Sequence, residues 1–264
     1  MQTTKPGALS RHLSATTSLL AAVAVSLLLG HASALAETVL EQALAVEAPA
    51  ERLAALALAL SQHPTDALLA GAYRMEARTQ GVDARPLLEE LVGNHKEALD
   101  LATHLGLAHL DHLALTTDQA QAGIDANRCT RVLTRVLRQE GGHWGARYGR
   151  ALSHLVWASQ MRHARYAVED LGVLLEELAL DGSVAPDAFG RVYLALGDAH
   201  VKTVSGKDPK PFYALGFAAD PTLEALRDRS KLESSELVAL INEQYRMTAP
   251  PDTDIGFLAR IDEP

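Results

Sequence analysis

Apolar residues recur at helical spacing along most of the chain beyond residue 36. In the stretch 50–63, leucines at positions 53, 56, 58 and 60 stand among alanines, which is typical of a buried helix. In the stretch 168–180, leucines at positions 171, 174, 175 and 178 follow the i, i+3, i+4, i+7 spacing of one apolar helix face. The same region has few β-branched runs and no Asn-Gly hairpin signal. The pattern therefore predicts an all-α fold.

Helix-breaking residues divide this apolar pattern into short segments. They are His63-Pro64, Gly141-Gly142, Asp181-Gly182 and Asp220-Pro221. Because proline and glycine disfavour helix interiors, each pair marks a helix end, and the segments between them run for about 10 to 22 residues. We predict nine to eleven helices between Glu37 and Met247, joined by short turns.

The stretch 191–221 has a regular arrangement of aromatic, glycine and proline residues. Tyr193 precedes the pair Leu196-Gly197, a second helix carries Tyr213, and Pro221 closes the unit 24 residues after Gly197. This arrangement resembles the tetratricopeptide repeat, a 34-residue helix-turn-helix unit. The resemblance implies a right-handed α-solenoid of antiparallel helical hairpins over residues 37–248.

Weaker copies of the unit lie upstream, around Gly71, Gly106 and Gly149. The spacings between these glycines and Gly197 are 35, 43 and 48 residues, of which the first fits the family period. Hairpins of this kind bury their apolar faces by stacking, and small residues allow their helices to cross closely. We interpret Gly106, Gly149 and Gly197 as close-packing positions. The alternative is an ordinary helix glycine, which costs about 0.5–1 kcal/mol relative to alanine.

The first 36 residues have the three zones of a secretion signal. A polar start carries Lys5 and Arg11, an uncharged apolar run follows at 17–30, and Ala34 and Ala36 occupy the small positions of a cleavage site. The apolar run is shorter than the ~20 residues of a comfortable membrane span. We expect cleavage after Ala36 and a periplasmic or secreted protein without a stable membrane span. An uncleaved anchor or a buried helix is the alternative.

The net charge restricts the kinds of partner that the chain can bind, and the cysteine content restricts its covalent crosslinks. Removing residues 1–36 takes the formal net charge from −9 to −11, because Lys5 and Arg11 are lost with no acid. An acidic chain lacks the basic footprint that nucleic acids and anionic membranes require. Cys129 is the only cysteine, which excludes a disulfide within one chain. It is a small buried apolar residue or, alternatively, a reactive thiol or a crosslink to another chain.

Histidines supply the main candidates for chemistry. His109 and His112 share a helix face, whereas His104 lies off that face. Either they bind a metal with a partner from another helix, or they make hydrogen bonds between helices. No nucleophile elbow, zinc-protease, P-loop or dinucleotide-binding motif occurs. We therefore predict a non-enzymatic protein with no cofactor and no metal.

The stretch 144–157 is the most aromatic part of the chain. Trp144 and Tyr148 are four residues apart and share a helix face. These side chains, with Trp157, form either one wall of a ligand groove or the core of a repeat junction.

First helices of stacked hairpins line a concave groove in this family, and aligning the units on their glycines selects the residues that would face it. We predict a partner-binding groove with these side chains: Asp100, Thr103, Asp111, His143, Trp144, Arg150, His154, Arg191, Asp198 and Lys202. The leading functional prediction is a periplasmic scaffold that binds an extended peptide or a protein partner. The alternatives are an accessory component of a transport or envelope-assembly machine, and a small-molecule or metal carrier built on the His- and Trp-rich segment.

The tail at 249–264 holds three prolines and four acids and is expected to be extended or disordered. Within it, Ile255, Phe257 and Leu258 are apolar enough to dock on the helices.

Overall fold

The computed structural model describes residues 38–182, 184–204, 206–248 and 251–258. The signal segment predicted at 1–36 lies outside these residues. Besides a helical segment at 38–44, the α-helices are α1 Pro49–Gln62, α2 Ala67–Thr79, α3 Arg85–Asn94, α4 Leu99–Asp111, α5 Gln119–Gln139, α6 Trp144–Leu155, α7 Ala164–Leu180, α8 Pro186–Lys202, α9 Lys210–Ala219, α10 Glu224–Lys231 and α11 Ser234–Gln244. Short 3-10 turns occur at His112–Ala114, Ser159–Met161 and Gly256–Leu258.

The all-α prediction is confirmed, since the described ranges contain helices and no strand. The helix count is wrong by one: the same ranges hold twelve α-helical segments against the nine to eleven expected. Several breaks contain neither glycine nor proline, and one of them separates α10 from α11 at 232–233. There Glu233 and Glu236 form a capping box, in which each side chain accepts from the other residue's backbone N–H. Such a cap starts a new helix without a breaker residue.

The described residues divide into two compact units, one up to residue 59 and one from residue 60 onward, with the boundary inside α1. In the described part of the first unit, the guanidinium of Arg52 donates to the carbonyl of Val46 at 3.0 Å. This bond ties the start of α1 to the turn that precedes it.

In the second unit, helices pack mainly against their neighbours in sequence. The pairs α4/α5, α6/α7 and α8/α9 are hairpins, and their first helices also meet one another, since α4 packs on α6 and α6 packs on α8. Helix α2 packs on α4 at the start of this series. The four helices α2, α4, α6 and α8 therefore form one row. Among the described residues, no helix is both long and apolar enough to cross a bilayer.

The predicted close-packing role of the glycines is confirmed. A Cβ at Gly106 would lie 2.5 Å from a methyl carbon of Leu133, and one at Gly149 would lie 2.7 Å from a methyl carbon of Leu107. A Cβ at Gly197 would overlap the ring of Tyr213. Real carbon atoms do not approach so closely, so a larger residue at any of these positions would force the facing side chain to move.

Candidate functional site

The C-terminal segment, residues 251–258, lies across the row formed by α2, α4, α6 and α8. We call the surface that it covers the groove. Thr253 is fully buried, whereas its neighbour Asp252 is exposed. Ile255 and Phe257 are half-buried and Gly256 is exposed. Asp254 is half-buried as well, Leu258 is buried, and a 3-10 turn occupies Gly256–Leu258. Only residues 251–255 are therefore free of helical turns, and the burial of Pro251 and Thr253 on either side of the exposed Asp252 places one face of that stretch on the protein surface.

Arg74 of α2 forms the floor of the groove and is only 1% exposed. Its Nη1 atom donates to the Asp111 carboxylate and to the Thr253 hydroxyl, both at 2.7 Å. Its Nη2 atom donates to the main-chain carbonyl of Thr253 at 2.8 Å. The Thr253 hydroxyl in turn donates to Asp111. A buried charge needs a partner and further hydrogen bonds, and here the segment supplies part of that set.

Arg78 lies one helical turn beyond Arg74 and holds the segment at the adjoining position. Its Nη1 atom donates to the Thr253 hydroxyl at 2.8 Å, and its Nη2 atom donates to the carbonyl of Pro251 at 3.3 Å. Two residues of extended chain rise by about 6.6 Å, and one turn of α-helix rises by about 5.4 Å. Arginines spaced by one turn therefore match carbonyls spaced by two residues.

The second half of the groove is apolar. A Cβ at Gly145 of α6 would lie 2.9 Å from the terminal carbon of Ile255, so glycine makes room for that side chain. Phe257 meets the ring of Tyr148 edge to face, with ring centres 5.1 Å apart. The guanidinium of Arg191 on α8 lies 5.0 Å from the centre of the Phe257 ring. Arg191 also pairs with Asp252 at 3.4 Å.

An open cavity of about 550 Å³ adjoins the segment at the ends of α2 and α6. Its lining includes Asp100, Glu140, Trp144 and Asp254. His143 caps α6: its Nδ1 atom accepts from the backbone N–H of Ala146, and its Nε2 atom lies 3.2 Å from Asp100. Hydrogen bonding to His143 lowers the pKa of the Asp100 carboxyl. Carboxylates beside an indole ring make this cavity suitable for a positively charged group.

His104 closes the inner wall of the cavity. Its Nδ1 atom accepts from Nε of Arg74 at 3.4 Å. Burial, together with the charge of Arg74, lowers the pKa of His104 to about 3. The imidazole is therefore neutral at physiological pH and acts as a hydrogen-bond acceptor for the arginine.

Six of the ten predicted groove residues lie at the groove or its cavity. Asp111 and Arg191 contact the segment, and Thr103 packs beside Gly145. The remaining three line the cavity: Asp100, His143 and Trp144.

The other four predicted residues make contacts between helices. Arg150 binds Asp170 of α7 through two bonds of 2.6 and 2.8 Å, and lines a cavity of about 220 Å³ with His154. Burial lowers the pKa of His154 to about 4. Asp198 is fully buried and accepts from the hydroxyls of Tyr213 and Tyr245.

Lys202 is also buried, and its ammonium group donates to the carbonyl of Tyr245 at 3.2 Å. With Asp198, this residue joins α8 to the end of α11. Neither side chain has a bond to the C-terminal segment among the described contacts.

His109 and His112 surround the buried carboxylate of Asp125, which also accepts from Arg85 at 2.7 Å. Within the described ranges, no group of three or more His, Cys, Asp or Glu side chains is arranged to hold a metal ion. His104 lies apart from this cluster, on Arg74.

The residues that hold the segment most strongly, Arg74 and Arg78, were not among the sequence-predicted set. The available signal was their spacing of four residues, which places both on one face of the helix. Searches against protein-family models, curated proteins and solved structures found no match to the chain.

Proposed function

We propose that the protein is a non-enzymatic peptide-binding scaffold, built as a right-handed tetratricopeptide-like solenoid and exported by cleavage after Ala36. The groove formed by α2, α4, α6 and α8 is the proposed site, and an extended segment of another protein is the proposed ligand. N-terminal sequencing of the protein purified from its native envelope tests the export part of the proposal. A mature chain that begins at Glu37 is expected, and one that begins at Met1 would contradict it.

One observation carries the binding proposal: Arg74 and Arg78 donate to alternate main-chain carbonyls of an extended segment. Carbonyls are present in every peptide, so this grip does not depend on the side chains of the ligand. The two guanidiniums also have a fixed fork geometry, which makes them suited to hold a planar acceptor in one orientation. Their position on the first helix of the row places a peptide along the remaining helices.

The test is peptide capture by the full chain. A library of extended octapeptides is screened against full chains whose own segment is released by Thr253→Val and Phe257→Ala, with Arg78 either kept or replaced in Arg78→Ala. The replacement removes the bonds that Arg78 donates and leaves the buried Arg74–Asp111 pair intact. Arg165→Ala on α7 is the matched control, since its guanidinium contacts only the neighbouring Tyr166 among described contacts. We expect Arg78→Ala to weaken every captured peptide by about tenfold, as for loss of a charge-assisted bond of about 1.5 kcal/mol. Equal binding by both variants would overturn the proposal.

The cavity beside Trp144 favours a second candidate, a carrier of a small cationic molecule. Its volume of about 550 Å³ lies in the range of ligand pockets. Native mass spectrometry of the mature protein tests this candidate. A bound organic cation that is lost on Trp144→Ala would support it, and a mass equal to the bare chain after purification without dialysis would count against it.

A further inference from the structure

The C-terminal segment has a side-chain pattern that the groove reads in addition to the main chain. We infer that the partner peptide carries the same pattern, and that the protein's own segment competes with it for the groove. In order, the pattern is an acid, threonine, an aliphatic residue two positions later and an aromatic residue two positions after that. This inference rests on the proposed function and names the class of peptide that the groove takes.

The hydroxyl at position 253 is the most demanding part of the pattern. Three charged groups meet it: Arg74 and Arg78 donate to the oxygen, and Asp111 accepts its hydrogen. An apolar residue at this position would remove one hydrogen bond from each of three charged groups, of which Arg74 and Asp111 are buried. A site built to bond a hydroxyl rejects an analogue that lacks it far more strongly than a hydrophobic pocket rejects a missing methylene.

The acid at position 252 is recognised by charge from two helices. Its carboxylate lies 3.3 Å from Arg78 of α2 and 3.4 Å from Arg191 of α8. Because Asp252 is 64% exposed, these bonds orient the peptide more than they stabilise it. A lysine at this position would face two arginines and would be repelled.

The aliphatic and aromatic positions fill shaped apolar sites. Ile255 occupies space that exists because residue 145 is glycine. Phe257 lies between the edge of the Tyr148 ring and the guanidinium of Arg191, and both contacts need an aromatic face. The 3-10 turn at Gly256–Leu258 begins directly after Ile255, and this turn sets the spacing between the two sites. The two sites therefore fix the register of the segment.

The segment and an outside peptide cannot bind together. Both need the same Nη atoms of Arg74 and the same hydroxyl-accepting carboxylate of Asp111. A tethered segment acts at an effective concentration of about millimolar. A free peptide binds only the fraction of chains whose groove is open, so its apparent affinity is its intrinsic affinity multiplied by that fraction. The protein should therefore bind a matching partner weakly until the segment is displaced.

The test uses full-length chains and two labelled peptides in fluorescence anisotropy. One peptide has the sequence PDTDIGFL of residues 251–258, and the other, PDADAGAL, has alanine in place of Thr253, Ile255 and Phe257. The proteins are the wild type and the double variant Thr253→Val, Phe257→Ala, in which all groove residues are unchanged. Hydrogen exchange of the segment checks that the double variant has released it.

We expect the double variant to bind PDTDIGFL at least about tenfold more tightly than wild type does, and at least about tenfold more tightly than it binds PDADAGAL. Equal binding of the two peptides would overturn the pattern while leaving the proposed function in place. No binding of either peptide to a released groove would overturn the proposed function as well. Equal affinity of wild type and double variant, or a segment that stays protected in the double variant, would overturn the competition.

Discussion

The Thr253 hydroxyl offers the sharpest perturbation, since it is buried and bonded to three charged groups. Thr253→Val keeps the shape of the side chain and removes these bonds. Hydrogen bonds to charged groups contribute about 1.5–3 kcal/mol each, but the loss is shared because Arg74 and Asp111 remain paired with one another. We therefore expect a loss of about 1.5–3 kcal/mol in the free energy that docks the segment, which is a factor of about 10–150 in its opening equilibrium.

Amide hydrogen exchange of residues 251–258 in the full chain measures this opening directly. Thr253→Ser is the matched control, because it keeps the hydroxyl and loses only a methyl group, worth about 0.8 kcal/mol. The valine variant should exchange clearly faster than the serine variant, with the exchange of α6 and α8 unchanged. If valine protects the segment as well as threonine does, the hydroxyl does not hold the segment and the description of the groove fails.

Three further outcomes follow from the packing and the charges. Gly197→Ala should lower the free energy of unfolding by about 1–3 kcal/mol, because the added carbon overlaps Tyr213. Gly172→Ala, whose added carbon meets no atom within 4 Å, should raise the free energy of unfolding by about 0.5–1 kcal/mol. Denaturant titration of both variants measures the difference. Below pH 6.5 the unfolded chain protonates His104 and the folded chain does not, so the free energy of unfolding decreases as the pH is lowered. His104→Gln should therefore remove up to about 2 kcal/mol of the decrease between pH 8 and pH 5. The Cys129 thiol, fully buried with a raised pKa, should react with a disulfide reagent only as fast as the chain unfolds; faster labelling would show that α5 opens locally.

Much of the helical fold could be predicted from sequence because its causes are local. Leucine spacing reveals the buried faces of helices such as α7, and the Gly197–Tyr213 contact joins residues only 16 positions apart. The break at 232–233 carries no breaker residue, because a pair of glutamates caps the new helix and glutamate is otherwise a good helix former.

The groove was harder to predict because its bonds join distant parts of the chain. Arg74 meets Asp111 across 37 positions and Thr253 across 179 positions. The residues next to an arginine in the sequence do not show whether its side chain is buried or exposed. Aligning units on glycines found Asp111 and Arg191, but it also selected Arg150, which turns toward α7. Because the glycines are irregularly spaced, aligning the units on them compares residues that lie on different helix faces.

The most direct test of the groove is photo-crosslinking from the segment itself. A benzoylphenylalanine placed at position 257 of the full chain lies between Tyr148 of α6 and Arg191 of α8. Mixing isotopically labelled and unlabelled copies before irradiation separates crosslinks within one chain from those between chains. We expect crosslinks within one chain that map to α6 and α8. Crosslinks to α5 or α7, or mainly between copies, would contradict the account that the row of first helices holds an extended segment.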